Sequence, residues 1–334
     1  MKFVNSINTA LENILNNHEE VILYGEDLLD PYGGAFKATK GLSTKFPNRV
    51  LPAPISEGAM IGMAGGMAIG GLRPIVEIMF GDFIMLGADQ LLNHLLKYEW
   101  MYNNKVEVPV TIRASMGGRR GYGPTHSQSL EPILASLPGI KIVSPTYYHN
   151  PGKLLEHTVL NEVGVKVFCE YKMNYSRELR NQTNCQDGIS VKYADGNYPT
   201  VSISNSEFDE PEILIISHGG NAILIEELLM DLLLEYELSA QANFPSLIKP
   251  CNFNDLFNGI ENAKMIIVIE ESPKSYGWGS EIISYLAEAG MGEGKKIVRV
   301  GAEESPIPSS MLLEKKVLPS VENILRIIET AELV

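Results

Sequence analysis

Glu57 lies in the run Ala53-Pro54-Ile55-Ser56-Glu57-Gly58, where an apolar strand end meets a helix of small residues. A carboxyl group at such a junction is poorly solvated, and desolvation raises the cost of its charge. That setting suits a carboxyl that exchanges a proton with a bound partner. A second candidate is the loop of residues 117–128, Gly-Gly-Arg-Arg-Gly-Tyr-Gly-Pro-Thr-His-Ser-Gln, between a strand and a helix. Long glycine-bearing loops in compact domains are usually functional. Within it, Arg119 and Arg120 could hold a carboxylate or phosphate. His126 could transfer protons near neutral pH, and a structural role is an equal reading. Phe83, just past the strand end Glu77-Ile78-Met79-Phe80, could offer a flat face to an aromatic ring. Pattern alone favours a core role for both Phe80 and Phe83. The other histidines, His18, His94, His149, His157 and His218, read as surface or capping residues.

These residues sit on a regular alternation of strands and helices. Strands are expected at Val21–Tyr24, Ile75–Ile78, Val108–Arg113, Ile140–Val143 and Val165–Glu170. Helices are expected at Gly58–Gly71, Phe83–Met101 and Pro151–Leu160. Such alternation indicates a parallel sheet covered on both faces. A stretch rich in Asn, Asp, Ser and Gly follows, and a second alternation runs from Ile213 to Thr330. The expected architecture is therefore α/β, with two three-layer α/β/α domains at residues 1–180 and 212–334 joined by an irregular linker at 181–211. The helix after Glu57 carries Gly58, Gly62, Gly65 and Gly66 near one face. Each helical glycine costs about 1 kcal/mol relative to alanine. Close helix packing, including packing between subunits, explains them better than nucleotide binding, because the GxGxxG spacing is absent.

Composition narrows the function. The 334 residues carry a formal net charge of -14 and a pI near 5.0. Nucleic acid and anionic membrane are therefore not expected partners. Cys169, Cys185 and Cys251 form no CxxC pair and have no zinc-type spacing to histidine, so no metal site is expected in this chain. The amphipathic N-terminus and the lack of a bilayer-length apolar run favour a cytoplasmic location. No GxSxG elbow occurs.

Several ordered motifs carry a resemblance. They include Gly25-Glu26-Asp27, Gly33-Gly34-Ala35-Phe36, Pro54-Ile55-Ser56-Glu57, Gly71-Leu72-Arg73-Pro74, His126-Ser127-Gln128-Ser129 and the run 138–145, Pro-Gly-Ile-Lys-Ile-Val-Ser-Pro. Over nearly the whole chain the sequence resembles the beta subunit of the thiamine-diphosphate-dependent component of 2-oxo-acid dehydrogenase complexes, the pyruvate, branched-chain and acetoin dehydrogenase type. The resemblance implies a transketolase-like pyrimidine-binding domain followed by a transketolase C-terminal domain. It also implies that Glu57 bonds the cofactor's pyrimidine nitrogen and favours the tautomer that generates the ylid. By the same likeness Phe83 packs on that ring, His126 serves substrate binding or acyl transfer to lipoamide, and Glu26 links paired active sites. Arg119, Arg120 and Tyr122 fall in the substrate or acceptor loop, which is more basic here than in the family.

The family's Gly-Asp-Gly motif, which holds diphosphate and magnesium, is absent from this chain. An alpha subunit is therefore expected to supply that half, in an α2β2 heterotetramer with a lipoyl acyltransferase as further partner and a 2-oxo acid as substrate. A structural potassium ion is implied at an acidic-Pro turn, which residues 161–166, Asn-Glu-Val-Gly-Val-Lys, replace. The competing functions are a split transketolase-like or carboligating enzyme without a lipoyl partner, and a non-catalytic assembly subunit.

Overall fold

Runs such as Val-Ile-Leu-Tyr at 21–24 are apolar without a break, the pattern of a strand buried on both faces. In the computed structural model, which describes residues 1–185, 188–205 and 210–330, such runs build two units. The first comprises residues 1–116, 133–143 and 150–179, and the second comprises 117–132, 144–149 and the chain from 180 onward.

The strands of the first unit are β1 (Val21–Gly25), β2 (Val50–Pro52), β3 (Arg73–Ile78), β4 (Thr111–Met116), β5 (Lys141–Val143) and β6 (Lys166–Tyr171). They lie in the order β2-β1-β3-β4-β6-β5 and every pairing is parallel. β4 starts at Thr111, later than expected from the apolar run at Val108, because Pro109 has no N–H to give to a ladder. The amphipathic helix Phe3–Asn17 buries Phe3, Ile7, Leu11 and Ile14 and packs on the helix Pro151–Leu160. Asn150 caps the latter helix, its side chain accepting from the Lys153 N–H, with Pro151 at the first helical position. A Cβ at Gly152 would stand 2.5 Å from the Ser6 carbonyl oxygen, so only glycine permits this approach.

The glycine helix spans Glu57–Ile69, and its packing partner is found within the same unit. A Cβ at Gly62 would meet Gln90 Oε1 at 3.0 Å, and one at Gly65 would meet Leu95 Cδ1 at 2.9 Å. The segment it faces, expected as one long helix, is a 3₁₀ stretch at Gly81–Gly87, a π-helical stretch at Gln90–Leu95 and an α-helix at Leu96–Met101. Gly87 packs on Ile61, where a Cβ would lie 2.5 Å from Ile61 Cδ1, and the changing pitch keeps the segment against the glycine face. Gly66 has open space instead, and Met63 and Ile69 beside it are exposed.

The second unit holds β7 (Ser190–Tyr193), β8 (Thr200–Ser204), β9 (Ile213–Ile216), β10 (Ala240–Pro245), the short β11 (Leu247–Lys249), β12 (Met265–Pro273) and β13 (Lys296–Ala302). Its sheet runs β13-β12-β9-β10-β8-β7. The pairings are parallel from β13 to β10 and antiparallel at β10–β8 and β8–β7. β7 and β8 occupy the stretch 181–211 that reads from sequence as an irregular linker. Residues 186–187 and 206–209 of that stretch lie outside the described residues. The signal was a short period-two pattern, with Val191, Val201 and Ile203 buried between polar neighbours.

Candidate functional site

Open α/β sheets present ligands at the carboxyl ends of their strands. In the first unit three neighbouring strands end in candidate residues. Glu26 follows β1, Glu57 opens the helix after β2, and Phe80 and Phe83 follow β3. Glu26 and Glu57 are each only 5% exposed. Glu57 stands in the first turn of its helix, where the dipole favours a negative charge. Glu26 Oε1 is buried and makes no hydrogen bond. Burial, then the charge of Glu57, push the Glu26 carboxyl up to about 7, against the Met79 backbone hydrogen bond; the charges of Asp27 and Glu77 add to the rise. Phe83 is half-buried and meets Phe80 edge-to-face at 5.9 Å. An orphaned carboxyl oxygen, a second buried carboxyl and a partly open ring make a set that fits a flat nitrogen heterocycle. Among the described residues no three His, Cys, Asp or Glu side chains group to hold a metal ion.

Behind these residues lies a charged network that sequence reading missed. Glu77 on β3 pairs in register with Arg113 on β4, and Glu170 lies on adjacent β6. The Arg113 guanidinium donates to Glu77 Oε2 at 2.7 Å and, as a fork, to Glu170 at 2.6 and 2.9 Å. Tyr175 Oη donates to Glu170 Oε2 at 3.0 Å. Burial pulls the Arg113 proton off, but the two carboxylates outweigh it and hold the guanidinium charged. Glu77 is still raised by burial, which the Arg113 charge only partly offsets. Phe36 and Tyr175 stack at 5.0 Å over a small cavity lined by this network. The available signal was three charged residues inside otherwise apolar strands, a pattern that demands partners.

The remaining candidates belong to the second unit. Arg119 adopts a φ of 66° and is engaged by its own chain. Its Nε donates to Glu271 at 3.2 Å and its Nη2 to the Pro319 carbonyl at 2.8 Å. Two buried carboxylates shape this loop. Glu271 accepts from the Gly118 N–H at 2.5 Å, and Glu314 accepts from the N–H groups of Arg119 at 2.7 Å and Gly121 at 3.0 Å. Arg120 and Tyr122 remain exposed, the guanidinium 6.0 Å from the ring centre. His126 is half-buried, with Nδ1 2.8 Å from Thr125 Oγ1. His149 and His218, read from sequence as surface or capping residues, are instead buried, and burial lowers both to about 4.

At the turn of residues 161–166, where the resemblance implies potassium, the Glu162 carbonyl and that of Val159 just before it are engaged by cationic side chains. Arg73 Nη1 donates to the Val159 carbonyl at 2.9 Å and to that of Glu162 at 3.4 Å. Lys166, fully buried, donates from Nζ to the Glu162 carbonyl at 3.3 Å. Burial, then the Arg73 charge, bring the Lys166 ammonium down to about 7, against the pull of the Glu162 carboxylate. These residues do not fit a metal ion.

Comparison with known proteins bears on the family and the fold. A family model described as the transketolase pyrimidine-binding domain matches residues 1–178, and one described as the transketolase C-terminal domain matches residues 205–324. The beta subunit of acetoin:2,6-dichlorophenolindophenol oxidoreductase from Cupriavidus necator is 29% identical, over 96% of this chain and 94% of that one. The mitochondrial pyruvate dehydrogenase E1 component subunit beta of Saccharomyces cerevisiae is 26% identical, over 97% of this chain and 87% of its own. A solved split-gene transketolase, described as an inactive beta4 tetramer, superposes with a TM-score of 0.72 at 16% identity, covering 99% of this chain and 98% of that one, and so shares the fold. With residues 1–178 of 334 matched, the chain belongs to the transketolase pyrimidine-binding domain family and is similar over nearly its whole length to beta subunits of acetoin oxidoreductase and of pyruvate dehydrogenase E1.

Proposed function

We propose that this chain is the beta subunit of a thiamine-diphosphate-dependent 2-oxo-acid dehydrogenase, and that Glu57 is the carboxyl that exchanges a proton with the cofactor's aminopyrimidine. The observation that carries the reading is the pairing of two buried carboxyls, Glu57 and a Glu26 whose Oε1 has no hydrogen bond, at the ends of adjacent strands. Thiamine diphosphate, when bound, supplies the nucleophilic carbon and the electron sink for decarboxylation. Glu57 would hold a proton against a ring nitrogen in dry surroundings, and Phe83 would bear on the ring face. Glu26, near its midpoint at neutral pH, would take or return a proton beside Glu57. His126 would meet the substrate or the lipoamide acceptor. Arg120 and Tyr122 are exposed side chains of the same loop and would contact that acceptor, with Arg119 fixing the loop's course.

An alpha subunit would hold the diphosphate and magnesium, since the Gly-Asp-Gly motif is missing here. The exposed Met63 and Ile69 flanking Gly66, with Trp100 at 83% exposure, support a surface that a second chain covers in an α2β2 assembly. A boundary near residue 180 and a cytoplasmic site of action complete the reading. The three free cysteines agree with a reducing compartment.

The test is Glu57→Gln assayed with the alpha partner. Loss of roughly 10²- to 10⁴-fold in turnover is expected for a group that transfers a proton. Turnover near wild type would remove the assignment. Acyl-lipoamide as product supports the dehydrogenase, whereas a new carbon–carbon bond supports a carboligating enzyme.

A further inference from the structure

A buried lysine in the middle of a sheet needs a reason, because an ammonium group is costly to remove from water. Lys166 opens β6 with no exposed surface. The hydrogen bond it makes runs to a main-chain carbonyl, that of Glu162, at 3.3 Å. Glu162 closes a turn that follows the helix Pro151–Leu160. The last carbonyls of a helix lack intrahelical donors and carry the negative end of the helix dipole. Oxygen-lined turns of that kind are ready-made ligands for a hard cation.

Here the protein supplies the positive charge from two directions. Arg73 at the start of β3 donates to the Val159 and Glu162 carbonyls, and Lys166 reaches the Glu162 carbonyl. The side chain of Glu162 is itself paired with Lys141, and with His157 Nε2 at 3.4 Å. Arg73, Lys141, His157 and Lys166 thus converge on one short turn. A metal ion added among them would face like charges in a poorly screened setting and would find its carbonyl ligands already bonded.

We propose that Lys166, together with Arg73, is a built-in cation at the 159–166 turn, and that this turn takes no potassium or other monovalent metal ion. A cation requirement for folding is thereby replaced by a covalently attached amine, so the fold of the first unit is independent of the salt present. The inference stands apart from the catalytic reading of Glu57, and its test reads folding of the chain with no cofactor bound.

Thermal unfolding of the full chain in potassium chloride and in choline chloride, at matched ionic strength, tests it. The wild-type midpoints should agree to within about 1 °C. Lys166→Val opens the turn, and its midpoint should rise with potassium chloride in a saturable way that choline does not reproduce. A wild-type midpoint that climbs with potassium over choline overturns the proposal, and so does a folded Lys166→Val that ignores potassium. Should Lys166→Val fail to fold in either salt, Lys166→Met, closer in length, replaces it with the same two outcomes. Saturable binding of thallous ion to the wild-type chain, followed by thallium NMR and displaced by potassium, would also overturn it.

Discussion

Replacing Arg113 by methionine removes the one positive charge that bridges Glu77 and Glu170. The Arg113 side chain is 2% exposed and its partners 13% and 1%, so water cannot take over the bonds it makes. Methionine keeps most of the volume, which isolates the electrostatic effect from cavity formation. Breaking a buried pair by deleting one partner costs about 3–5 kcal/mol, because the remaining charges stay buried. That is two to four orders of magnitude in the folding equilibrium. The loss must depend on pH. Glu77 is raised by burial even with the guanidinium present, and removing it leaves both carboxylates without their counter-charge in poorly solvated surroundings. A raised carboxyl contributes stability that is full below its unfolded value and lost as pH rises. Arg113→Met should therefore approach wild type near pH 5 and fall furthest behind near pH 8. Urea unfolding at both values, followed by circular dichroism, measures it. A loss below about 1 kcal/mol at pH 8, or an equal loss at the two pH values, would refute the account of the network as a charge-balanced core.

Three further substitutions test other parts of the structure. Glu26, raised from 4.5 to about 7, contributes stability that is complete below 4.5 and lost as pH rises through about 7. Glu26→Gln stays neutral, so it should match wild type at pH 4 and exceed it at pH 8 by up to about 3 kcal/mol in urea unfolding. A variant less stable than wild type at pH 8 would contradict this. Among the glycines, Gly152→Ala places a Cβ 2.5 Å from the Ser6 carbonyl oxygen and should cost about 1–3 kcal/mol. Gly66→Ala meets open space and should gain about 1 kcal/mol from helix propensity. Equal effects of the two on the melting midpoint would show that the close approach at Gly152 is not real.

The sequence made most of the parallel strands of the first unit legible because they are mainly apolar runs between loops, charged only at single positions such as Glu77, Arg113 and Glu170. It exposed Glu57 because a carboxyl between an apolar strand and a glycine-rich helix has no ordinary explanation. What stayed hidden depends on partners distant in the chain. Arg113 lies 57 residues from Glu170, and no local pattern pairs them. β7 and β8 escaped because two apolar positions per strand are swamped by the Asn, Asp and Ser around them. Arg119 read as a free anion binder because Glu271, 152 positions away, leaves no mark in the glycine loop. Lys166 gave the weakest warning of all, since one lysine opening a strand is ordinary until its burial is known.

Charge in the first unit is placed by a consistent rule. Deep in the sheet, where a carboxylate has a guanidinium partner, Glu170 is held by a fork from Arg113 and a phenol from Tyr175. Two strands nearer the candidate site, Glu77 shares that guanidinium and is incompletely compensated. At the strand ends Glu26 keeps an oxygen with no partner and feels Glu57 as a second negative charge. Compensation therefore falls away toward the open end of β1, β2 and β3. A fold that could have neutralised Glu26 by moving one basic side chain across the sheet leaves it near its midpoint at neutral pH. Stability gains nothing from such a carboxyl at pH 8, as the sign of the Glu26→Gln prediction states. A gradient of this kind, a fully paired base beneath an underpaired rim, is what the proposed proton-exchanging site would use.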